Sequence, residues 1–491
     1  MVAWIHSSLA GLDRFFAEWL VAPISAVIFF DLAFWDDRSG NALVLPAVVV
    51  WLVFGALFFT LRFRFVNFRL FRHAVDCVRG RYTDPDEAGE ITHFQALSAA
   101  LSATVGLGNI AGVAVAVGVG GPGALFWMVV AGFLGMTSKF AECSLAQKYR
   151  LIDADGHVRG GPMVYLRRGL AELGWPRLGY ALSVIFALMC IGGSFGGGNM
   201  FQSNQAYAIV SDQLPWLKQH AMLGGAAFGL LMAFLVGIVI IGGIHRIGEV
   251  AAVLVPAMCG LYLVAGGVIV LLHAEQLPAA FGVIVGSAFS TEAGLGGFAG
   301  VLIQGFRRAA FSNEAGVGSA AIAHSAARTD EPLREGVVAL LEPFIDTIIV
   351  CTTTGLVIVV TGAYLEPSAG KNIAMTAWAF GTVLPWYPIL LSLTAFLFAY
   401  STMISWSYYG ERCWEQLFGK RSTLLYKLLF LGFTWAGAVF DAASVVEFGD
   451  LMILGMAFPN ILGVLMLSGL LRSDLDSYLQ KLRSGVFVKH R

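Results

Sequence analysis

The chain has 491 residues, 57% of them hydrophobic and 13% charged, with a formal net charge of −1. Soluble domains carry about 25% charged and about 45–50% apolar residues, so this composition excludes an ordinary soluble protein. The near balance of 31 Lys+Arg and 32 Asp+Glu excludes a nucleic-acid binder built on a basic face.

Apolar runs of about 20 residues, enough to cross ~30 Å of hydrocarbon as helix, recur eleven times. They cover 42–62, 94–119, 123–147, 179–211, 222–242, 249–272, 297–327, 334–362, 384–411, 424–443 and 447–470. Residues 15–35 are a twelfth candidate. Glu18, Pro23 and Asp31 interrupt that run, which predicts an interfacial or re-entrant helix. The N-terminus has no basic n-region, so a cleavable signal peptide is not expected. Alternate loops, beginning with 63–93, hold twenty-two Lys/Arg and the opposite loops four. The positive-inside rule then puts the N-terminus outside and the C-terminus in the cytoplasm. A true span at 15–35 would turn only the N-terminus inside. No loop much exceeds about 30 residues, too few for an independent core. The expected class is an all-α polytopic membrane protein with eleven transmembrane helices and its function inside the bundle. Five of the six cysteines sit in or beside apolar runs and read as core thiols. No HExxH, CxxC or phosphate-loop pattern is present, and the nine histidines are scattered.

Two apolar segments are broken by glycine beside polar residues: Ser102–Gly112 (SATVGLGNIAG) and Phe311–Ser319 (FSNEAGVGS). Gly106, Gly108, Gly316 and Gly318 each weaken helix by about 1 kcal/mol relative to Ala. Close helix packing also uses glycine, but does not account for Asn109, Asn313 and Glu314 at these places. Buried polar groups in lipid need protein, water or an ion as partner. With 42–62 set aside, the breaks fall in the first and sixth of ten spans. Those two spans start on opposite sides of the membrane, the pattern of an inverted repeat with a binding site at the breaks.

Several blocks then resemble the alanine/glycine:cation symporter family. They are Gly106–Val113 (GLGNIAGV), Gly120–Trp127 (GGPGALFW), Lys139–Glu142 (KFAE) and Gly160–Met163 (GGPM). Further on come Phe311–Gly316 (FSNEAG), Ile322–Ala326 (IAHSA), Leu341–Asp346 (LEPFID) and Ser401–Glu411 (STMISWSYYGE). The resemblance implies a leucine-transporter-like fold of five plus five helices, with one extra helix in front. Its parts are 1–93 (interfacial segment, extra helix and basic loop), 94–272 and 273–470 (the two repeats) and 471–491 (cytoplasmic tail). It also implies Na⁺-coupled import of alanine, glycine or a similar amino acid across a bacterial-type inner membrane, without covalent chemistry. No nucleic acid or obligate protein partner is implied.

Val105–Asn109 also resembles the first-helix motif of neurotransmitter:sodium symporters. That likeness implies one Na⁺ held by the carbonyls of Ser102 and Val105 and the hydroxyls of Ser401 and Thr402. Asn109, with Thr104, could hold a second Na⁺, or Asn109 could tie the broken backbone together. Amides near Gly106 and Gly108 would take the substrate carboxylate. Thr104, Phe201, Gln202, Ser312, Asn313, Gly316 and Trp406 complete the expected pocket. Ser401 and Thr402 could instead bond back to their own helix, Gln202 could bridge helices, and Trp406 could be plain packing. Glu142, Glu342, Asp346, Arg307 and Arg308 are expected to form ion pairs, with gating as the second reading, and His324 to be a satisfied core histidine. The rivals are proton coupling through a buried carboxylate or His324, a channel, and a membrane enzyme. A channel would show a filter or charged rings, and an enzyme a metal or nucleophile constellation.

Overall fold

The computed structural model describes residues 17–33, 44–84, 86–219, 221–290, 297–370, 373–439, 443–487 and 489. Both ends of the 15–35 candidate, the start of 42–62, part of 424–443 and the end of the tail lie outside these residues. Among the described residues eight helices are long and apolar enough to cross a membrane, and one bent pair makes a ninth.

The first α-helix among the described residues is α1 (Ala22–Ile28), which follows a wide helical turn at Ala17–Val21 and is too short to span. The chain then doubles back: Leu32 N–H reaches the Leu45 carbonyl and Ala47 N–H the Phe30 carbonyl, both at 2.9 Å. The extra helix α2 is Ala47–Arg62. An amphipathic helix, α3 (Phe71–Val78), follows. Thr92 and Gln95 form a reciprocal capping box that starts α4 (His93–Thr104). At Val105 ψ swings to 91°, the helix stops, and α5 (Gly108–Gly120) resumes at 55° to it. Then come α6 (Gly123–Tyr149), a hairpin of β1 (Leu151–Ile152) and β2 (Val158–Arg159), and α7 (Pro162–Glu172). Next are α8 (Pro176–Gln213), α9 (Ala221–Ile240), α10 (Gly243–Leu272) and α11 (Leu277–Ala288).

The second half begins with α12 (Gly297–Asn313), leaves the helix over 314–319 and resumes in α13 (Ala320–His324). Glu314 takes a positive φ of 52°, and Gly316 and Gly318 take 91° each, angles that end an α-helix. The remaining helices are α14 (Pro332–Val360), α15 (Ile373–Val383), α16 (Tyr387–Phe418), α17 (Thr423–Val439), α18 (Ala443–Gly455) and α19 (Ala457–Arg483).

Helix α6 packs against α12 and α14, α9 packs on α17, and α4 lies between α10 and α16. Glycine permits the closest approaches. A Cβ on Gly305 would meet the Ala124 carbonyl at 2.7 Å, so α12 lies tight against α6. The stretch from 471 continues α19 as helix to Arg483. Leu471, Leu475, Tyr478 and Leu479 are buried at helical spacing, and Tyr478 Oη meets His73 Nε2 on α3 at 2.7 Å. Burial there lowers the His73 imidazole to about 4, so it stays neutral.

Candidate functional site

The α4/α5 break is held open from within. Asn109 Oδ1 accepts the Gly106 N–H at 2.9 Å, while its Nδ2 donates to Asp346 Oδ1 at 2.6 Å and to the Asp346 carbonyl at 3.2 Å. Asn109 thus ties the broken backbone to α14. Across the break lies α16. Ser102 Oγ donates to the Ser401 carbonyl at 2.7 Å, and Ser401 Oγ reaches the Ser102 carbonyl at 3.4 Å as well as the Phe398 carbonyl at 2.9 Å. The next hydroxyl differs. Thr402 Oγ1 is buried and has no hydrogen-bond partner among the described residues, not even its own helix. It lies 2.8 Å from where a Gly106 Cβ would stand, and Gln202 Oε1, also buried and unpartnered, lies 3.8 Å from that point.

An orphaned buried polar group costs about 1–3 kcal/mol, so two oxygens converging on one glycine call for a donor or cation. Carbonyl and hydroxyl oxygens are the hard ligands that Na⁺ takes, and the Ser102 carbonyl with the Ser401 and Thr402 hydroxyls fits that requirement. The ψ of Val105 turns its carbonyl out of the helical ladder as well. A helix N-terminus such as that of α5 at Gly108 favours a carboxylate, although here the Asn109, Ile110 and Ala111 N–H groups already reach the Gly106 and Leu107 carbonyls. Gly108 itself is uncrowded, its nearest neighbour Ser312 Cα at 3.9 Å from a Cβ position.

The expected pocket residues separate into three groups. Gln202 joins the break; its Nε2 donates to the Gly197 carbonyl at 3.1 Å inside the wide turn Gly196–Met200 of α8. Trp406 is buried against Gly198, where a Cβ would collide with its ring, and against Gly193. Phe201, beside Gln202, is half-buried. Thr104 turns its hydroxyl back to the Ala100 carbonyl at 3.3 Å. Ser312, Asn313 and Gly316 are occupied elsewhere. Ser312 Oγ donates to Asp346 Oδ2 at 2.9 Å, Asn313 Nδ2 to Thr347 Oγ1 at 2.9 Å, and the Gly316 carbonyl accepts Asn460 Nδ2 at 2.9 Å. Gly316 faces Leu52 and Ile461.

Asp346 was expected to be ion-paired. Instead it joins the two breaks, accepting only neutral donors: Asn109, Ser312 and, at 2.8 Å, Thr347. It sits in a wide-turn stretch, Phe344–Cys351, immediately after Pro343. Proline lacks an N–H and crowds the preceding turn, which favours such rewinding. Pro343 was the signal available in the sequence for a rewound Asp346. Glu342 does form an ion pair, but with Lys139 at 2.8 Å and not with Arg307 or Arg308. Glu142 accepts Asn460 Nδ2 at 2.8 Å. His324 Nδ1 meets Glu335 at 2.5 Å, but its buried Nε2 has no hydrogen-bond partner among the described residues and lies 3.8 Å from Glu342 Oε2, so the histidine is only half satisfied; Glu335 also takes His93, and neither Glu335 nor His93 was singled out from the sequence. Glu314 bonds Ser319, not Arg307. Arg307 lies 4.8 Å over the Phe29 ring, and among the described residues neither Arg307 nor Arg308 is in an ion pair within 4 Å.

The family model described as the sodium:alanine symporter family matches residues 33–490, and the chain belongs to that family. The sodium/alanine symporter AgcS of Methanococcus maripaludis is 39% identical over 436 residues, covering 88% of this chain and 94% of its own. The "Probable sodium/glutamine symporter GlnT" of Bacillus subtilis is 32% identical over 449 residues, covering 90% of each. Among solved structures, MhsT in complex with L-phenylalanine matches with a TM-score of 0.54 at 15% identity, over 78% of this chain and 99% of that one. The fold is therefore shared with that protein. With its apolar helices, the chain is a multi-pass membrane transporter and not an enzyme.

Proposed function

We propose that this member of the sodium:alanine symporter family carries alanine, glycine or a similarly small amino acid into the cell with Na⁺, by alternating access. The observation that carries this reading is the pair of buried, unpartnered oxygens, Thr402 Oγ1 and Gln202 Oε1, at Gly106 beside the first break. Na⁺ sits among the Ser102 and Val105 carbonyls and the Ser401 and Thr402 hydroxyls. The substrate carboxylate takes amides near Gly106 and Gly108, its ammonium group finds Gln202 Oε1, and Trp406 with Phe201 limits its side chain. Na⁺ and substrate favour the same conformer, so each raises the other's affinity. Residues 94–272 and 273–470 form the two five-helix repeats behind α2. The shorter apolar helix Ala47–Arg62 and the helix Gly297–Asn313, which carries Arg307 and Arg308, bring the nine candidates to the eleven spans of this reading. Twenty-two of the basic residues then face the cytoplasm of an inner membrane, with the N-terminus outside.

The relative named for sodium and alanine supports the substrate class, and the one named for glutamine makes glutamine an informative competitor. The test is a Na⁺ titration of alanine binding in the parent chain and in Ser401→Ala/Thr402→Ala. The double variant should need more Na⁺ for half-saturation, with substrate affinity partly restored at very high Na⁺. An unchanged Na⁺ midpoint removes both residues from the ion site. A second reading, proton coupling on the same fold, is favoured by Asp346, a fully buried carboxylate that meets only neutral donors. Uptake into proteoliposomes driven by a pH gradient without Na⁺ would establish it in place of the first.

A further inference from the structure

The end of α2, the turn after it and the start of α3 carry Arg62, Arg64, Arg69 and Arg72, and the second half of α19 carries Arg472 and Arg483. Although some 400 residues separate the two segments in sequence, they meet: Arg472 Nη1 donates to the Arg62 carbonyl at 3.3 Å. Between them opens a cleft of about 500 Å³, lined by Arg64, Arg69, Arg472, Asp476, Gln480 and Arg483. Its one acid is already taken, since Arg472 grips Asp476 through Nη2 at 3.0 Å and Nε at 3.2 Å. The nearby acids are engaged elsewhere, Asp474 with Lys148 at 2.5 Å and Glu331 with Lys481 at 2.6 Å. Among the described residues Arg64, Arg69 and Arg483 have no carboxylate partner within 4 Å.

Topology alone asks for arginines on this side of the membrane, but not for their convergence around one cleft, where like charges repel. The backbone is also held for it. Arg64 and Phe65 are consecutive non-glycine residues with φ of 53° and 55°, a conformation that L-residues avoid. Beyond this turn, Phe68 is 63% exposed, and a groove of about 310 Å³ opens along Asn67, Phe68, Phe71, Phe133, Met136 and Phe344. A cationic cleft next to an apolar groove at a helix end matches the two halves of a phospholipid. Arginine forks suit phosphate oxygens, and basic pockets between membrane helices hold anionic headgroups. We infer that the cleft holds the phosphodiester headgroup of an anionic membrane lipid, with its acyl chains along the aromatic groove.

The test titrates the purified full chain in detergent with short-chain phosphatidylglycerol and, separately, short-chain phosphatidylcholine. Three proteins are compared: the parent, Arg64→Gln/Arg69→Gln/Arg483→Gln, and a control that removes as many charges from exposed sites elsewhere, Arg167→Gln/Arg177→Gln/Arg421→Gln. The parent and the control should prefer the anionic lipid by about tenfold or more, and the cleft variant should lose that preference. Retention of the preference by the cleft variant overturns the proposal, and so does an equal loss in the control. Inorganic phosphate at the same concentrations should not compete; if it competes as well as the lipid, the site is for free phosphate and the lipid assignment falls. Should the triple variant not purify, Arg483→Gln alone, on the exposed end of α19, should show a partial loss and is judged against the same control.

Discussion

At the first break, around Val105–Leu107, Thr402 Oγ1 and Gln202 Oε1 are left without donors. At the second, 314–319, the side chains are already engaged: Asn313 with Thr347 and the Ala315 N–H, Glu314 with Ser319, and Asn460 with the Gly316 carbonyl. Both breaks combine glycine with Asn or Glu in an apolar run. Among the described residues, the first has two orphaned oxygens facing its own glycine, whereas at the second the break's own side chains are paired and the orphaned oxygen is Glu142 Oε2 on α6. The difference separates two tasks. A break with free oxygens can receive a ligand, whereas a saturated one holds its neighbours in register, and Asp346 joins the two.

The severest way to break this contrast is Gly106→Val. The added Cβ would stand 2.8 Å from Thr402 Oγ1, so Na⁺-dependent alanine binding should vanish while the purified protein keeps its helical circular dichroism. Asp346→Ala comes next. It strips three donors of their acceptor and should lower stability by about 2–4 kcal/mol, read as a melting shift. Both Na⁺ and substrate affinity should fall with it, because Asn109 loses its anchor. Thr402→Val is smaller and more selective. The hydroxyl has no protein partner, so the melting temperature should hold or rise, while the Na⁺ midpoint climbs about tenfold, the worth of one lost oxygen ligand taken as a charged hydrogen bond. A falling melting temperature with an unmoved midpoint would make the first break structural, like the second. Ser319→Ala should do least: about 1 kcal/mol of stability through Glu314, with the Na⁺ midpoint unchanged. A shifted midpoint there would erase the distinction between the breaks.

Much of this was legible before any coordinates. Glycine beside Asn or Glu inside a hydrophobic run has few explanations, which is why both breaks could be placed to within a few residues. What adjoins them could not be. Asn109 and Asp346 are 237 residues apart, and neither residue's periodicity shows that the rewound turn after Pro343 turns the carboxylate toward the first break. Ser312, Asn313 and Gly316, expected at the pocket, have partners far away in sequence that no local pattern shows. Their side chains and carbonyls instead reach α14 and α19. The helical run past 470 was hidden for a different reason. The apolar run ends near 470, although Leu471, Leu475, Tyr478 and Leu479 keep a buried stripe beyond it.

Helix α19 has 27 residues and so is about 40 Å long. Near one end Asn460 holds the Gly316 carbonyl and Glu142; near the other, Lys481 and Tyr478 grip Glu331 and His73. A straight rod of that length works as a pointer. A tilt of about 5° at Asn460 displaces the Arg483 end by roughly 3 Å, a distance that paired spin labels resolve. A label at Ser484, set against one on α3, would turn a sub-ångström adjustment beside the second break into a readable signal far from any bound ion or amino acid.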